Sequence, residues 1–98
     1  MNLTQAIDYV SDLRPAWKTA RGVWKAPHKY NRVHVLRLLG ETKNVKTIKK
    51  SDLAAMRAKL QREGRSNAGI NRIMAFLNTT LRELADSDII IKQPKIPA

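Results

Sequence analysis

An all-α fold is the class this sequence predicts, on three observations. Apolar residues recur at helical spacing in separate segments. Glycine, proline and serine stand at the ends of those segments, where helices start and stop. At 98 residues with 43% apolar content, the chain can bury one modest core and not two, so a single domain spanning 1–98 is expected.

The first segment runs from Leu3 to about Leu13, with Leu3, Ile7 and Val10 on one face and Asn2 or Thr4 available as a cap. Pro15 then breaks or restarts the helix. In "RPAWKTARGVWKAP", Gly22 and Pro27 predict a turn before a second helix that begins near Pro27 and stops at Gly40. Tyr30, Val33, Val35, Leu36, Leu38 and Leu39 form too broad a band for one stripe, so this helix is expected to pack on two sides. Lys29, His34 and Arg37 fall away from the Val35 and Leu39 side and are assigned to its open face.

Glu41 to Lys50 reads as a lysine-rich loop anchored by Val45 and Ile48. Ser51 is the expected cap of a third helix, with Asp52 in its first turn, Leu53, Met56 and Leu60 on its buried side, and Gly64 at its end. The fourth helix follows Ser66. Ile70, Ile73, Met74, Leu77, Leu81 and Leu84 share about a third of its circumference at 100° per residue. The segment after Asp88, "IIIKQPKIPA", reads as a strand or an extended connector, with about 89–98 leading out of the domain.

Charge narrows the function. The chain carries 19 Lys and Arg against 8 Asp and Glu, a formal +11, and from Arg14 to Lys50 there are 11 bases and one acid, Glu41. The remainder carries a net of only +1. A concentrated positive field attracts polyanions, which points to nucleic acid phosphates. No apolar run approaches the ~18 residues that cross a bilayer, and no leader-like segment opens the chain. Without cysteine there is no disulfide, thiolate nucleophile or zinc cluster. A cytoplasmic protein is expected.

On the far side of the fourth helix the same 100° geometry collects Asn67, Asn71, Arg72, Ala75, Asn78, Thr79 and Arg82, with no carboxylate among them. Such a face suits a duplex groove: Arg neutralises phosphate, Asn pairs with adenine, and Ser and Thr serve either role. The opposing reading is asparagines that simply face water. Glu83, Asp86 and Asp88 crowd the other end, where negative charge opposes the helix dipole.

"GRSNAGINRIMAFLNTTLREL" resembles the glycine, serine, Asn-Arg signature that opens the last long helix of the core-binding domain of tyrosine recombinases, the phage-integrase type. Upstream, "YNRVHVLRLLGE", a short loop with an isoleucine, and "SDLAAMRAKLQREG" are similar to that family's order of helix, loop, Asp-containing helix and glycine. "IIKQPKIPA" looks like its connector toward the catalytic domain. The resemblance covers about Ala26 to Ala98. It implies a compact four- to five-helix orthogonal bundle of SAM-like type that grips double-stranded DNA at a recombination site while a separate catalytic domain of the same polypeptide cleaves it. It places Ser66, Asn71 and Arg72 among the DNA-facing residues. Gly69 stands where the family often has threonine, so one hydroxyl is missing.

Lys25, His28, Lys29, Arg37, Arg65, Ser66, Asn67, Asn71, Arg72, Asn78, Thr79 and Arg82 are accordingly the expected DNA-contacting residues. No catalytic residue, metal or cofactor is expected. His28 and His34 lack the i, i+4 spacing of a chelating pair, and "GRSNAG" lacks the lysine and hydroxyl of a phosphate loop. Tyr9 and Tyr30 read as core packing, not nucleophiles, and Trp17 reads as core, with Trp24 divided between core and surface. The expected partners are duplex DNA, the catalytic domain and other protomers on DNA, with no membrane. Two competing readings are a helix-turn-helix regulator that binds as a dimer and a basic module that meets an acidic protein.

Overall fold

The computed structural model describes residues 1–94. It is built from four α-helices and two single 3-10 turns: α1 (Leu3–Leu13), a turn at Pro15–Trp17, α2 (Ala26–Leu39), a turn at Val45–Thr47, α3 (Lys50–Arg62) and α4 (Asn67–Asp86). No strand is present among the described residues, only two isolated bridges, Asn2 with Asn44 and Lys18 with Trp24. The all-α class is as the sequence predicts.

α4 is the central element. Its 20 residues span about 30 Å, and it packs against each of the other three helices. The six apolar residues of the predicted stripe are all buried, and Phe76 and Thr80 are buried beside them. Thr80 fits there because its hydroxyl donates to the Phe76 carbonyl at 3.0 Å, so no polar group is left unpaired. Leu3, Ile7 and Val10 of α1, Val35 of α2, and Leu53 and Leu60 of α3 close the same core with no solvent exposure. Each such side chain contributes about 1.5–3 kcal/mol by leaving water.

The helix ends explain how the chain turns. Asn2 caps α1, its Oδ1 accepting the Gln5 amide at 2.9 Å while the Gln5 side chain accepts the Asn2 amide at 3.0 Å. The other first-turn amides of α1 donate across the molecule: Leu3 to the Lys43 carbonyl at 2.8 Å and Thr4 to the Glu41 carbonyl at 3.2 Å. The loop between α2 and α3 is thereby lashed to the start of the chain, with Val45 and Ile48 buried as the expected anchors. α2 ends at Gly40 and α3 is followed by Gly64, whose φ values of 99° and 77° favour glycine.

Four expectations are corrected. α3 begins one residue before Ser51, at Lys50, and its first turn is held by the Asp52 carboxylate accepting the Lys49 amide at 2.9 Å. His34 is buried, not on the open face of α2, while Tyr30 and Val33 are about half exposed. Both follow from the two-sided packing of α2, which leaves its apolar pattern ambiguous between faces. Residues 89–94 do not run out as a strand or an extended connector. They bend back, Ile90 is buried and the Ile89 amide donates to the Leu84 carbonyl at 2.9 Å. Residues 95–98 of the expected linker lie outside the described residues.

The acids at the end of α4 acquire a partial account. Glu83 accepts from Arg14 at 2.9 Å, and the Tyr9 hydroxyl donates to Ser87 Oγ at 2.9 Å, so α1 is stapled to the C-terminal end of α4 twice. Trp17 is buried and stacked on Phe76, with ring centroids 4.4 Å apart.

Leu77 lies at the centre of the core with no exposure. Leu77→Ala is expected to cost about 2–5 kcal/mol of stability, measured by urea unfolding, because the three flanking helices cannot all close on the cavity.

Candidate nucleic-acid interface

Because the core takes the apolar stripe of α4, one face of that helix remains open. Asn67, Asn71, Arg72, Ala75 and Arg82 are exposed on it, and Asn78 and Thr79 are half-buried at its margins. At 100° per residue, Arg72 and Thr79 lie toward α2, while Asn71 and Asn78 lie on the opposite margin. The side chains lining the space between α4 and α2 agree with this.

An open cleft of about 340 Å³ separates the two helices, lined by Trp17, Pro27, His28, Asn31, Arg72, Ala75, Phe76 and Thr79. It continues into a notch bounded by Pro27, Tyr30, Asn31, Gly69 and Arg72. Pro27 is in the first turn of α2 and Gly69 in the first turn of α4, so the positive ends of two helix dipoles meet here. No side chain caps the first turn of α2, and Ser66 Oγ serves only the Gly69 amide of α4, at 3.1 Å. Among the described residues no carboxylate lines the cleft or the notch.

Local charge makes the same point. α2 has Lys25 at its cap and Lys29 one turn on, where cations oppose the dipole. α4 has no acid in its first turn and no base in its last, while Glu83 and Asp86 sit near its end. Reversed placement costs about 0.3–1 kcal/mol per charge at an exposed terminus. The part of that cost that arises at the start of α2, from Lys25 and Lys29, is the part an anion at the helix N-termini would offset.

The sequence-predicted residues divide into three groups. His28, Arg72 and Thr79 meet in the cleft, with Ser66, Asn67, Asn71 and Arg82 on the continuous face of α4 and Lys25 at the start of α2. Lys29 is exposed but lies about 160° around α2 from Asn31, away from the cleft. Arg37, Arg65 and Asn78 are engaged within the protein. Arg37 makes a two-pronged pair with Glu63 at 2.8 and 2.9 Å. Arg65 donates to Glu63 at 2.9 Å and to the Tyr30 hydroxyl. The Asn78 side chain accepts from the Gln93 amide.

Asn31 was not expected in the site. Its signal was available, since it follows Pro27 by four residues and His28 by three on one side of α2. Tyr30 and Trp17 were assigned to the core, and only Trp17 is buried there.

His28 stacks on Trp17 with centroids 5.9 Å apart. Burial, then the nearby Lys25, lowers its pKa, so at neutral pH it enters the cleft as an uncharged donor and acceptor. His34 is likewise lowered, by burial first and then by Arg65 and Arg37, with Glu63 opposing. Its Nδ1 lies 3.0 Å from an Arg37 nitrogen, and since guanidinium has no acceptor, that ring nitrogen must be the acceptor.

On the other margin, Gln93 against Asn78 brings the C-terminal segment alongside α4, and Lys50, Lys92, Gln93 and Pro94 share one shallow depression. Cations therefore flank the open face of α4 on both sides. Among the described residues no three His, Asp or Glu side chains converge as a metal site, and no helix is long and apolar enough to cross a membrane.

No family model, curated protein or solved structure matches the chain.

Hydrogen bonds from Arg37 and then Arg65 hold the Glu63 carboxyl at about 2, from an ordinary 4.5. The folded value is the lower, so the stabilisation is present above pH ~4.5 and lost as pH falls toward 2. Glu63→Gln is expected to flatten the acid limb of the stability curve over that window, read by thermal unfolding from pH 2 to 6. Salt near 1 M should shrink the difference, because the group is exposed and screened.

Proposed function

We propose that this chain is a duplex-DNA-binding module that seats the open face of α4, together with the cleft beside the start of α2, on the DNA surface. The observation that carries this reading is the meeting of two helix N-termini and Arg72 in a cleft that, among the described residues, no carboxylate lines. A merely soluble basic domain has no physical reason to bring together two uncompensated positive helix ends and clear the acids around them. A phosphate backbone supplies the missing negative charge, and exposed Asn71, Arg72 and Arg82 present donors to base edges or phosphates.

Within this reading the module binds and positions DNA and breaks no bonds. The motif order described above supports a core-binding domain of a phage-type tyrosine recombinase, acting in the bacterial cytoplasm with a catalytic domain of the same polypeptide. Cleavage chemistry then belongs to that other domain.

If about six phosphates are neutralised, log K should fall with log salt at a slope near −5. Gel-shift titrations with nonspecific duplex across a salt series measure it. Negligible affinity at low salt would favour an acidic protein partner instead.

Arg72→Ala is expected to weaken duplex binding by about 1–3 kcal/mol with altered sequence preference if it reads a base. Lys25→Ala should instead lower affinity for all sequences and reduce the salt slope by about one. Arg37→Ala should leave the slope nearly unchanged, since its guanidinium is already paired with Glu63. Unchanged titrations for both Arg72→Ala and Lys25→Ala would reject the interface.

A further inference from the structure

Between the turn at Pro15–Trp17 and α2 the chain folds into a short hairpin that the reading above does not use. Lys18 and Trp24 form its antiparallel base. The Thr19 amide donates to the Val23 carbonyl at 2.7 Å, the Gly22 amide to the Thr19 carbonyl at 2.9 Å, and the Val23 amide to Thr19 Oγ1 at 3.2 Å. Gly22 takes a φ of 79°, which closes the turn, and a Cβ there would meet nothing within 4 Å. The tip is thus internally braced and open to solvent.

Its root is anchored. The Lys25 amide donates to the Trp17 carbonyl at 3.0 Å, and Trp24 packs against the core with Lys18 Nζ 5.2 Å and the Arg32 guanidinium 5.5 Å from its ring centroid. Trp17 also lines the cleft, so the hairpin rises directly from the edge of the α4 surface.

The tip has a distinctive composition. Arg21 stands between Ala20 and Gly22, so no bulky neighbour limits how deeply its guanidinium can reach. Val23, two residues on, is an apolar side chain that is 60% exposed and lies outside the core. Among the described residues no carboxylate pairs with Lys18, Arg21 or Lys25. Four other cations of the basic stretch, Arg14, Arg32, Arg37 and Lys43, do have such partners.

We infer that this hairpin is a second DNA-contacting element, which inserts Arg21 into the minor groove next to the groove met by α4. The inference rests on the duplex-binding reading. The minor groove is only ~6 Å wide, which a lone arginine with small neighbours fits and a helix does not. Narrow A·T tracts concentrate negative potential and favour an inserted arginine, and an adjacent apolar side chain can press against the groove wall. Lys18 and Lys25 at the base would meet the flanking phosphates.

The test titrates two labelled duplexes of equal length, one with a central A·T tract and one wholly G·C, at a single salt concentration by fluorescence anisotropy. The full chain, Arg21→Ala, Arg21→Lys and Arg72→Ala are compared, with circular dichroism to show that each is folded. The full chain should prefer the A·T duplex. Arg21→Ala should lose roughly tenfold on A·T and about threefold on G·C, abolishing the preference. Arg21→Lys should keep most of the G·C affinity and lose the preference, and Arg72→Ala should weaken binding to both duplexes. Equal losses on both duplexes for Arg21→Ala, or none, overturn the minor-groove assignment and leave binding through α4 standing. Failure of the full chain to bind either duplex at low salt overturns the α4 reading and this one with it.

Discussion

Burial of one side of α4 by three helices is the constraint from which the rest of the molecule follows. The stripe from Ile70 to Leu84 leaves water completely or nearly so, and with Phe76 and Thr80 it occupies close to half of the helix surface. That fixes the rotation of α4 about its own axis. Once the rotation is fixed, Asn67, Asn71, Arg72, Ala75 and Arg82 are left outside as a consequence of packing, with Asp86 exposed at the C-terminal end of the same helix. The function proposed for that face therefore draws on the same interaction that makes the fold.

The second organising feature is the sorting of the positive charge. A net of +11 does not become a uniform surface, because four of the eight acids, Asp8, Asp52, Glu63 and Glu83, pair with cations of other segments. Glu83 fastens Arg14, Glu63 fastens Arg37 and Arg65, and Asp52 lies 3.8 Å from Lys43. Among the described residues the cations without a carboxylate partner include Lys18, Arg21 and Lys25 at the hairpin, Lys29 of α2, Arg72 and Arg82 of α4, Lys46, Lys49 and Lys50 around the start of α3, and Arg57, Lys59 and Arg62 farther along α3. Exposed ion pairs of this kind add little stability individually. Their larger effect is to determine which cations stay available to a partner.

Helix number, the core of α4 and most helix ends were legible in the sequence because each depends on local chemistry. Gly40, Gly64 and Ser66 act within a few residues of themselves, and the stripe of α4 is strongly periodic. α2 was only partly legible, since a helix buried on two sides has no single apolar face, and so His34 and Tyr30 were exchanged between inside and outside. Ser51 has the side chain of a good cap, yet the helix begins before it and the Asp52 carboxylate serves that turn from inside the helix. The candidate site was half legible. Periodicity put Arg72, Asn71 and Arg82 on one face, but the pairing of Arg37 with Glu63 joins residues 26 apart in sequence, and that of Arg14 with Glu83 joins residues 69 apart. No local pattern encodes such pairings, so engaged and unengaged arginines look alike until the chain is folded.

The two indoles of the chain sit side by side at the root of the hairpin, with unequal exposure. Trp17 is enclosed at the floor of the cleft, between Phe76 and the uncharged ring of His28, whereas Trp24 stands under the hairpin with two cations over its ring. Ultraviolet-excited emission is therefore a built-in optical readout of the molecule. The two ring centroids are 5.8 Å apart, so the pair reports on the junction of the hairpin with the α4 face without attaching a dye.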